Sequence, residues 1–544
     1  MSRARLAIVA GLYTVITLMM MYPVSVNPSG LKLGGGADPG LYVWTIGWGS
    51  HALTHAPWAA FDANIFFPYK HTLAYSENAL GSAALAVPVM WLTGDALTST
   101  NVVAILSVLL CAFGGYFLGR TLGLSPAAAF ITGLIFAFAP PRFARLAQIH
   151  LAVHWVPFCL AFLHRYLNDG RPRHLHAALA LFSLQAVTSG HGAALLLLGS
   201  VLIVGFRLAG GMPLALARRV WDVGLPGLLV LLPAALTFIP YWLARRDVPL
   251  ERVLDDVGVA WSSYISSPSH VHKWLLSNLP DWAWVRQEPD AFLFPGFVPL
   301  FLGALALSRL VSRERWTYLA MIVVTTWMTI GPPFSLWRWV YWFPVLNFIR
   351  VPSRFTLLGI LALAVLAGLG FDRLSKSWPR RRRLLAAGGI ATLLVIECAF
   401  VPIDARPFTI DSTAVDRWLD TQPKPFAVVE VPVSESRDDA RRADFATRYM
   451  LHSLSHHQPT VYGYSGAEPP GYKELYNHII RFPSDESIQR LTDLGVTYVV
   501  VHLEYFVPEF HAEYIARLTS FSDRLELVHQ DGTGRIYRLR AREQ

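Results

Sequence analysis

The sequence predicts a polytopic α-helical membrane protein of about 11 transmembrane helices, followed by a soluble α/β domain. Three observations carry that prediction. Of 544 residues, 53% are hydrophobic and only 15% charged, whereas soluble domains carry about 25% charged residues. Apolar runs of near-spanning length recur from residue 6 to residue 402, and from about Asp404 the composition turns soluble.

A bilayer-spanning helix needs roughly 20 mostly apolar residues. Candidate spans cover 6–24, 100–120, 126–139, 151–168, 174–189, 191–208, 223–243, 291–310, 315–332, 354–372 and 383–402. The first follows Arg3 and Arg5 and has no small-residue cleavage site behind it, so it reads as a retained anchor. The run Ala79 to Leu92 is shorter and contains Pro88; it reads as a helix lying in, or dipping into, the outer leaflet. With that segment not crossing and the N-terminus inside, the basic loops at Arg120, "NDGRPRH", "RLAGGMPLALARR", "SRLVSRER" and "SKSWPRRRR" all fall on the cytoplasmic side. If it crossed, most of them would face outward.

The domains are then 1–403, a transmembrane domain with a long first external loop (22–99), and 404–544, an external α/β domain. Within the latter, "AVVEVPV" and "VTYVVVH" read as short buried strands, and Ser412–Asp420 and Ser484–Leu494 as helices. No tandem repeat is visible. The net charge of +9 sits in short Arg-rich connections, which speaks for topology and against a nucleic-acid partner. The three cysteines lie in apolar runs, so no disulfide framework or Cys-based metal site is expected. No P-loop, GxSxG or dinucleotide fingerprint occurs, which removes support for ATP-driven transport and serine hydrolysis.

Chemistry-bearing residues stand out by their side of the membrane. Arg142 and Arg145 in "PPRFARLAQIH", beside His150, and Arg350 and Arg354 in "RVPSRF", fall outside against the inside bias. Pro352 suits a helix start, whose free N–H groups attract anions. Guanidinium groups flanking it match phosphate oxygens; the plainer reading is contact with lipid headgroups or acidic neighbours. The first external loop carries Asp38, Asp62 and Glu77. Asp38, between Gly34–Gly36 and Pro39–Gly40, is suited to deprotonating a hydroxyl, or to a turn or helix cap. Asp62 reads as a loop organiser. Glu77 reads as a cap, a metal ligand or a donor contact. His51 and His55 share a helical face, but no glutamate completes a zinc-protease motif. Trp44, Trp48 and Trp58 read as an interfacial belt. "GYSGAEPPGY" reads as a packing loop more readily than as a carbohydrate contact.

Together these pieces resemble the GT-C class of membrane glycosyltransferases. The resemblance rests on one span leading to a long external loop with an acidic residue at its start, on the helices "LYVWTIGWGSHAL" and "NALGSAALAVPVMWL", and on "NVVAILSVLLCAFGGYFLGRTLG". More narrowly, "DPGLYVWTIGW", "FDANIFFP", "YSENALGSA", "FAFAPPRFARLAQIHL", "RVPSRF" and "GYSGAEPPGY" are similar to a group of large bacterial membrane proteins. The resemblance implies residence in the bacterial inner (cytoplasmic) membrane with an external, periplasmic C-terminal domain. It also implies inverting transfer of a hexosyl or pentosyl unit from a polyprenyl-phosphate-linked donor to a lipid, glycan or protein acceptor of the cell envelope. Asp38 would be the general base. Arg350, Arg354, Arg142, Arg145 and His150 would hold the leaving phosphate, and Glu77 and Asp62 would be acidic, metal or donor contacts. Many members of the class carry paired acidic residues after the first span; here Pro39 and Gly40 follow Asp38, which leaves a divalent metal open and fixes no cofactor.

A transporter or flippase for a lipid-linked or anionic solute is the alternative, and a non-catalytic envelope scaffold a further one. Transport would place charges at mid-membrane on broken, repeated helices, whereas these charges cluster at one interface.

Overall fold

A computed structural model describes residues 3–211, 220–248, 259–279, 289–308, 313–330, 334–342, 349, 351–410, 413–435 and 439–540. They pack as two compact units.

The first unit, Met1–Asn27, Asn101–Leu236 and Glu251–Ala405, is helical. A helix lies over each expected span, and among the described residues five are long and apolar enough to cross a membrane: Arg3–Met20, Ala96–Thr121, Gly190–Ala209, Pro226–Arg246 and Pro352–Leu374. The others, such as Pro126–Phe138 and Phe297–Leu307, are shorter. Apolar side chains of Arg3–Met20, including Ile8, Val15 and Met19, stay exposed, as a lipid-facing helix requires.

Thr356–Leu374 is the centre of this unit, packed by Phe297–Leu307, Arg313–Thr329 and Pro126–Phe138. Glycines set how closely it is approached. A Cβ on Gly370 would run into the Leu302 carbonyl oxygen, and one on Gly368 into Thr132 Oγ1. Apolar chains gain nothing by leaving lipid for protein, so such close backbone contacts supply the packing attraction between helices. Gly115 meets Gly133 in the same way, where a Cβ would lie 2.9 Å from the facing Cα.

The second unit gathers Pro28–Thr100, Thr237–Leu250 and Arg406–Gln544. Its sheet has Val428–Val431 parallel to Tyr498–His502, which is antiparallel to Gly534–Leu539, itself paired with Leu525–Asp531. Every residue of Val428–Val431 and Tyr498–His502 is buried, which accounts for valines on both faces of these strands; Glu430 and His502 are the ionisable exceptions. Asp485–Leu494 starts with a Ser484/Ser487 capping box and ends at Gly495, in the left-handed region at φ 87°. These local signals made that helix legible.

Asp38–His55 and Leu80–Thr93 pack on each other, and Asp38–His55 also packs on Asp439–His452. Gly40 lies against Thr447 and Gly47 against Leu454, where added Cβ atoms would be 3.3 and 2.8 Å from the nearest atoms. Trp44 and Trp48 are buried in this core, and Trp48 Nε1 donates to the Ala60 carbonyl at 3.0 Å. They do not form the expected interfacial belt. Period and aromatic content are the same for a helix seated on a membrane and one seated on protein, and here Met450, Leu451 and Leu454 take the apolar face. Trp58 alone of the three is exposed.

Candidate functional site

In the second unit, Asp38 is the first residue of its helix and its carboxylate is exposed. The preceding glycines have separate tasks. Gly34 and Gly36 both adopt φ 76°, a conformation costly for other residues, while the Arg406 guanidinium fills the space a Gly35 side chain would need. Ala37 occupies the N-cap without a side-chain cap, so Asp38 does not serve as the cap. Its Oδ1 instead accepts a hydrogen bond of 2.5 Å from the Tyr464 hydroxyl. Tyr464 belongs to "GYSGAEPPGY", so that segment reaches the candidate base directly.

Of the other acidic residues of the first loop, Asp62 acts within the loop. Asp62 Oδ1 accepts from the His71 backbone N–H at 2.9 Å and lies 3.2 Å from His71 Nδ1. It thereby fixes a residue at φ 55°. Glu77 is partly buried, and the capping role passes to its neighbour: Asn78 Oδ1 accepts from Leu80 N at 2.9 Å, while Asn78 N and Nδ2 donate to the Tyr241 hydroxyl. Among the described residues neither Asp38 nor Glu77 belongs to a group of three potential metal ligands.

Beside the glycine hinge lies a cleft of about 680 Å³ whose lining includes Lys32, Arg406, Arg448, Asp444, His452 and Tyr505. Its cations outnumber its carboxylate. The Lys32 ammonium lies 4.7 Å from the Phe408 ring centre and the Arg448 guanidinium 4.5 Å from that of Tyr505, so aromatic faces hold both. The sequence reading missed this cleft, because its walls come from segments almost four hundred positions apart.

In the first unit, Arg145 and Arg354 converge on a carboxylate that the sequence reading passed over. Arg145 Nε lies 3.1 Å from Asp290 Oδ1, and an Arg354 terminal nitrogen 3.6 Å from Asp290 Oδ2. Arg145 also donates to Ser353 Oγ at 3.4 Å, and Arg354 lies 3.0 Å from His191 Nε2. Burial works to raise the Asp290 carboxyl, but Arg145 and Arg354 beside it hold it below the ordinary range. His150 packs edge-on to His191, with ring centres 5.6 Å apart. Burial, then the charge of Arg354, hold the His150 imidazole well below its usual value, so it stands neutral beside a cation.

This arrangement keeps one positive charge in excess. Arg354 Nε is buried with no hydrogen-bond partner among the described residues, a donor suited to an anionic oxygen. Arg142 does not join the group through any described contact: it donates to the Ala137 and Ser107 carbonyls at 2.8 and 3.5 Å. Arg350 lies outside the described residues.

The fold matches solved membrane enzymes. The arabinofuranosyltransferase AftD from Mycobacteria aligns over 100% of this chain and 40% of its own, with a TM-score of 0.58 and 15% identity. The Archaeoglobus fulgidus oligosaccharyltransferase, as its complex with Zn and sulfate, aligns over 93% of this chain and 69% of its own, with a TM-score of 0.50 and 15% identity. The chain thus spans 40% of the length of the mycobacterial transferase. No family model and no curated protein sequence matches it. Both solved structures are GT-C glycosyltransferases, and the chain has the GT-C membrane fold.

Proposed function

We propose that this protein is a glycosyltransferase that moves a sugar from a polyprenyl-phosphate-linked donor to a cell-envelope acceptor, outside the cytoplasmic membrane and with inversion. The observation that carries the reading is the exposed Asp38 carboxylate, held by Tyr464 at the start of a protein-packed helix in a chain of GT-C fold. Asp38 takes the proton of the acceptor hydroxyl as its oxygen forms the new bond to the anomeric carbon. The bond from that carbon to the donor phosphate breaks, and the polyprenyl phosphate leaves with the electron pair. Arg354 and Arg145 supply the charge that stabilises a leaving phosphate, an effect on the order of several kcal/mol when such donors are preorganised. The cleft lined by Lys32, Arg406 and Arg448 suits an anionic part of the acceptor.

In this reading the boundary at 403/404 separates a membrane domain from an external α/β domain, and Glu77 and Asp62 shape the first loop without taking part in the transfer. The test is turnover of labelled polyprenyl-phosphate sugars by purified protein. Asp38→Asn is expected to lower kcat on the order of 10²–10⁴-fold. Equal turnover by the wild type and this variant would remove Asp38 as the base.

A further inference from the structure

The edge strand Val428–Val431 of the four-stranded sheet and its neighbour carry buried ionisable groups that the proposed transfer does not use. Glu430 on Val428–Val431, His502 at the end of Tyr498–His502 and His452 at the end of Asp439–His452 are 1%, 0% and 1% exposed. His452 Nδ1 and His502 Nε2 both lie 2.7 Å from one oxygen, Glu430 Oε2. One ligand atom from each residue lies within 4.8 Å of the other two. Placing such groups in a core is costly unless something holds them together.

We propose that Glu430, His452 and His502 bind a divalent transition cation of the zinc class, tying the end of the helix Asp439–His452 to the sheet. Two imidazoles and one carboxylate are donors for Zn²⁺ and its neighbours in the first transition row. Mg²⁺ and Ca²⁺ call for oxygen cages. A tetrahedral ion with bonds of about 2.0 Å sets its ligand atoms about 3.3 Å apart. Each nitrogen would therefore draw back from Oε2 by about 0.6 Å, and the two histidine ligand atoms, within 4.8 Å of each other, would settle at the same spacing.

The surroundings match a ligand set. Glu504 Oε1 lies 3.2 Å from His502 Nδ1, so with Nε2 turned to an ion the opposite ring nitrogen keeps a carboxylate partner, the usual support for a ligating histidine. Asp416 is 0% exposed, interacts electrostatically with all three residues, and has an Oδ1 with no hydrogen-bond partner among the described residues. Asp416 stands outside the group of three ligand atoms, and its Oδ1 is a candidate for the fourth position. His452 also lines the cationic cleft, which places one edge of the cluster beside open space.

The test uses the intact, detergent-purified protein. It is stripped with a chelator, incubated with Zn²⁺ or Co²⁺, dialysed, and assayed for bound metal and for the visible absorption of tetrahedral Co²⁺. One ion per chain is expected in the wild type, with a Co²⁺ spectrum of mixed nitrogen and oxygen ligation and a higher Tm on metal addition. Glu430→Gln and His502→Gln should lose at least tenfold in bound metal, while the surface variant His478→Gln keeps it. Because the buried variants could misfold, the wild-type titration decides alone: no stoichiometric uptake and no Co²⁺ spectrum overturns the site, as does full uptake by both folded variants. Sugar-transfer activity is not the readout, so the outcome is independent of the function proposed above.

Discussion

The Tyr464 hydroxyl donates to Asp38 Oδ1 at 2.5 Å, joining residues 426 positions apart. Tyr464→Phe removes the donor and leaves the ring. If Asp38 is the base, Tyr464→Phe should lower kcat by about tenfold through loss of orientation, with donor KM little changed. The loss should stay well short of that of Asp38→Asn. Steady-state kinetics of the two variants checks the order; a larger loss in Tyr464→Phe would make the tyrosine the primary group.

Arg145 and Arg354 share Asp290 but should fail differently. Arg145 has a side chain only 1% exposed, so Arg145→Ala leaves Asp290 without its closest partner and should cost about 3 kcal/mol of stability. Arg354→Lys retains charge but loses the fork of donors, and should raise donor KM or lower kcat with a small change in Tm. Thermal unfolding and donor titration of both variants separate the roles.

Gly463 stands just before Tyr464, and a Cβ there would lie within the Phe66 ring's own space. Phe66 is fully buried at φ 57°, so the ring has little room to yield. Gly463→Ala should therefore destabilise by about 1–3 kcal/mol and lower activity together with Tm. Phe66→Leu in the same chain should recover part of the loss, read by denaturant unfolding.

Acid should loosen the second unit through His51 and His457, whose rings stack with centres 3.5 Å apart. Burial, then the neighbour His55, lower His51 to about 4; burial, then His51, lower His457 to about 3. In the unfolded chain both titrate near 6.5. The unfolded state thus binds more protons below that value, and stability falls as pH drops from about 6.5 towards 3. His457→Asn tolerates the left-handed backbone at φ 58° and should flatten the Tm-against-pH curve. An unchanged slope would exclude this pair as its source.

The helices were legible because apolar runs and their breaks are local properties. Pro126 and Pro157, each in the first turn of a helix, and the arginines after Leu374 mark ends without help from the fold. The Arg145–Asp290–Arg354 group was only half legible. The arginines stood out by breaking the charge bias, whereas Asp290 closed a loop in no distinctive pattern and gains its meaning from partners that arrive on folding. The Trp44 and Trp48 reading failed for a related reason: the apolar surface that buries them includes Met450 and Leu451, far along the chain. The Glu430–His452–His502 cluster escaped notice because no short spacing links its members.

Gly40 and Gly47 seat the helix that begins at Asp38 on Thr447 and Leu454. The consequence concerns how the molecule can be divided. A fragment ending at residue 403 would keep Asp38 but discard the surface that fixes its height and direction. Co-expressed halves should regain activity only if the later piece docks as a folded body. Side-chain volume should be exchangeable across this seam: bulk added at position 40 would call for bulk removed at position 447.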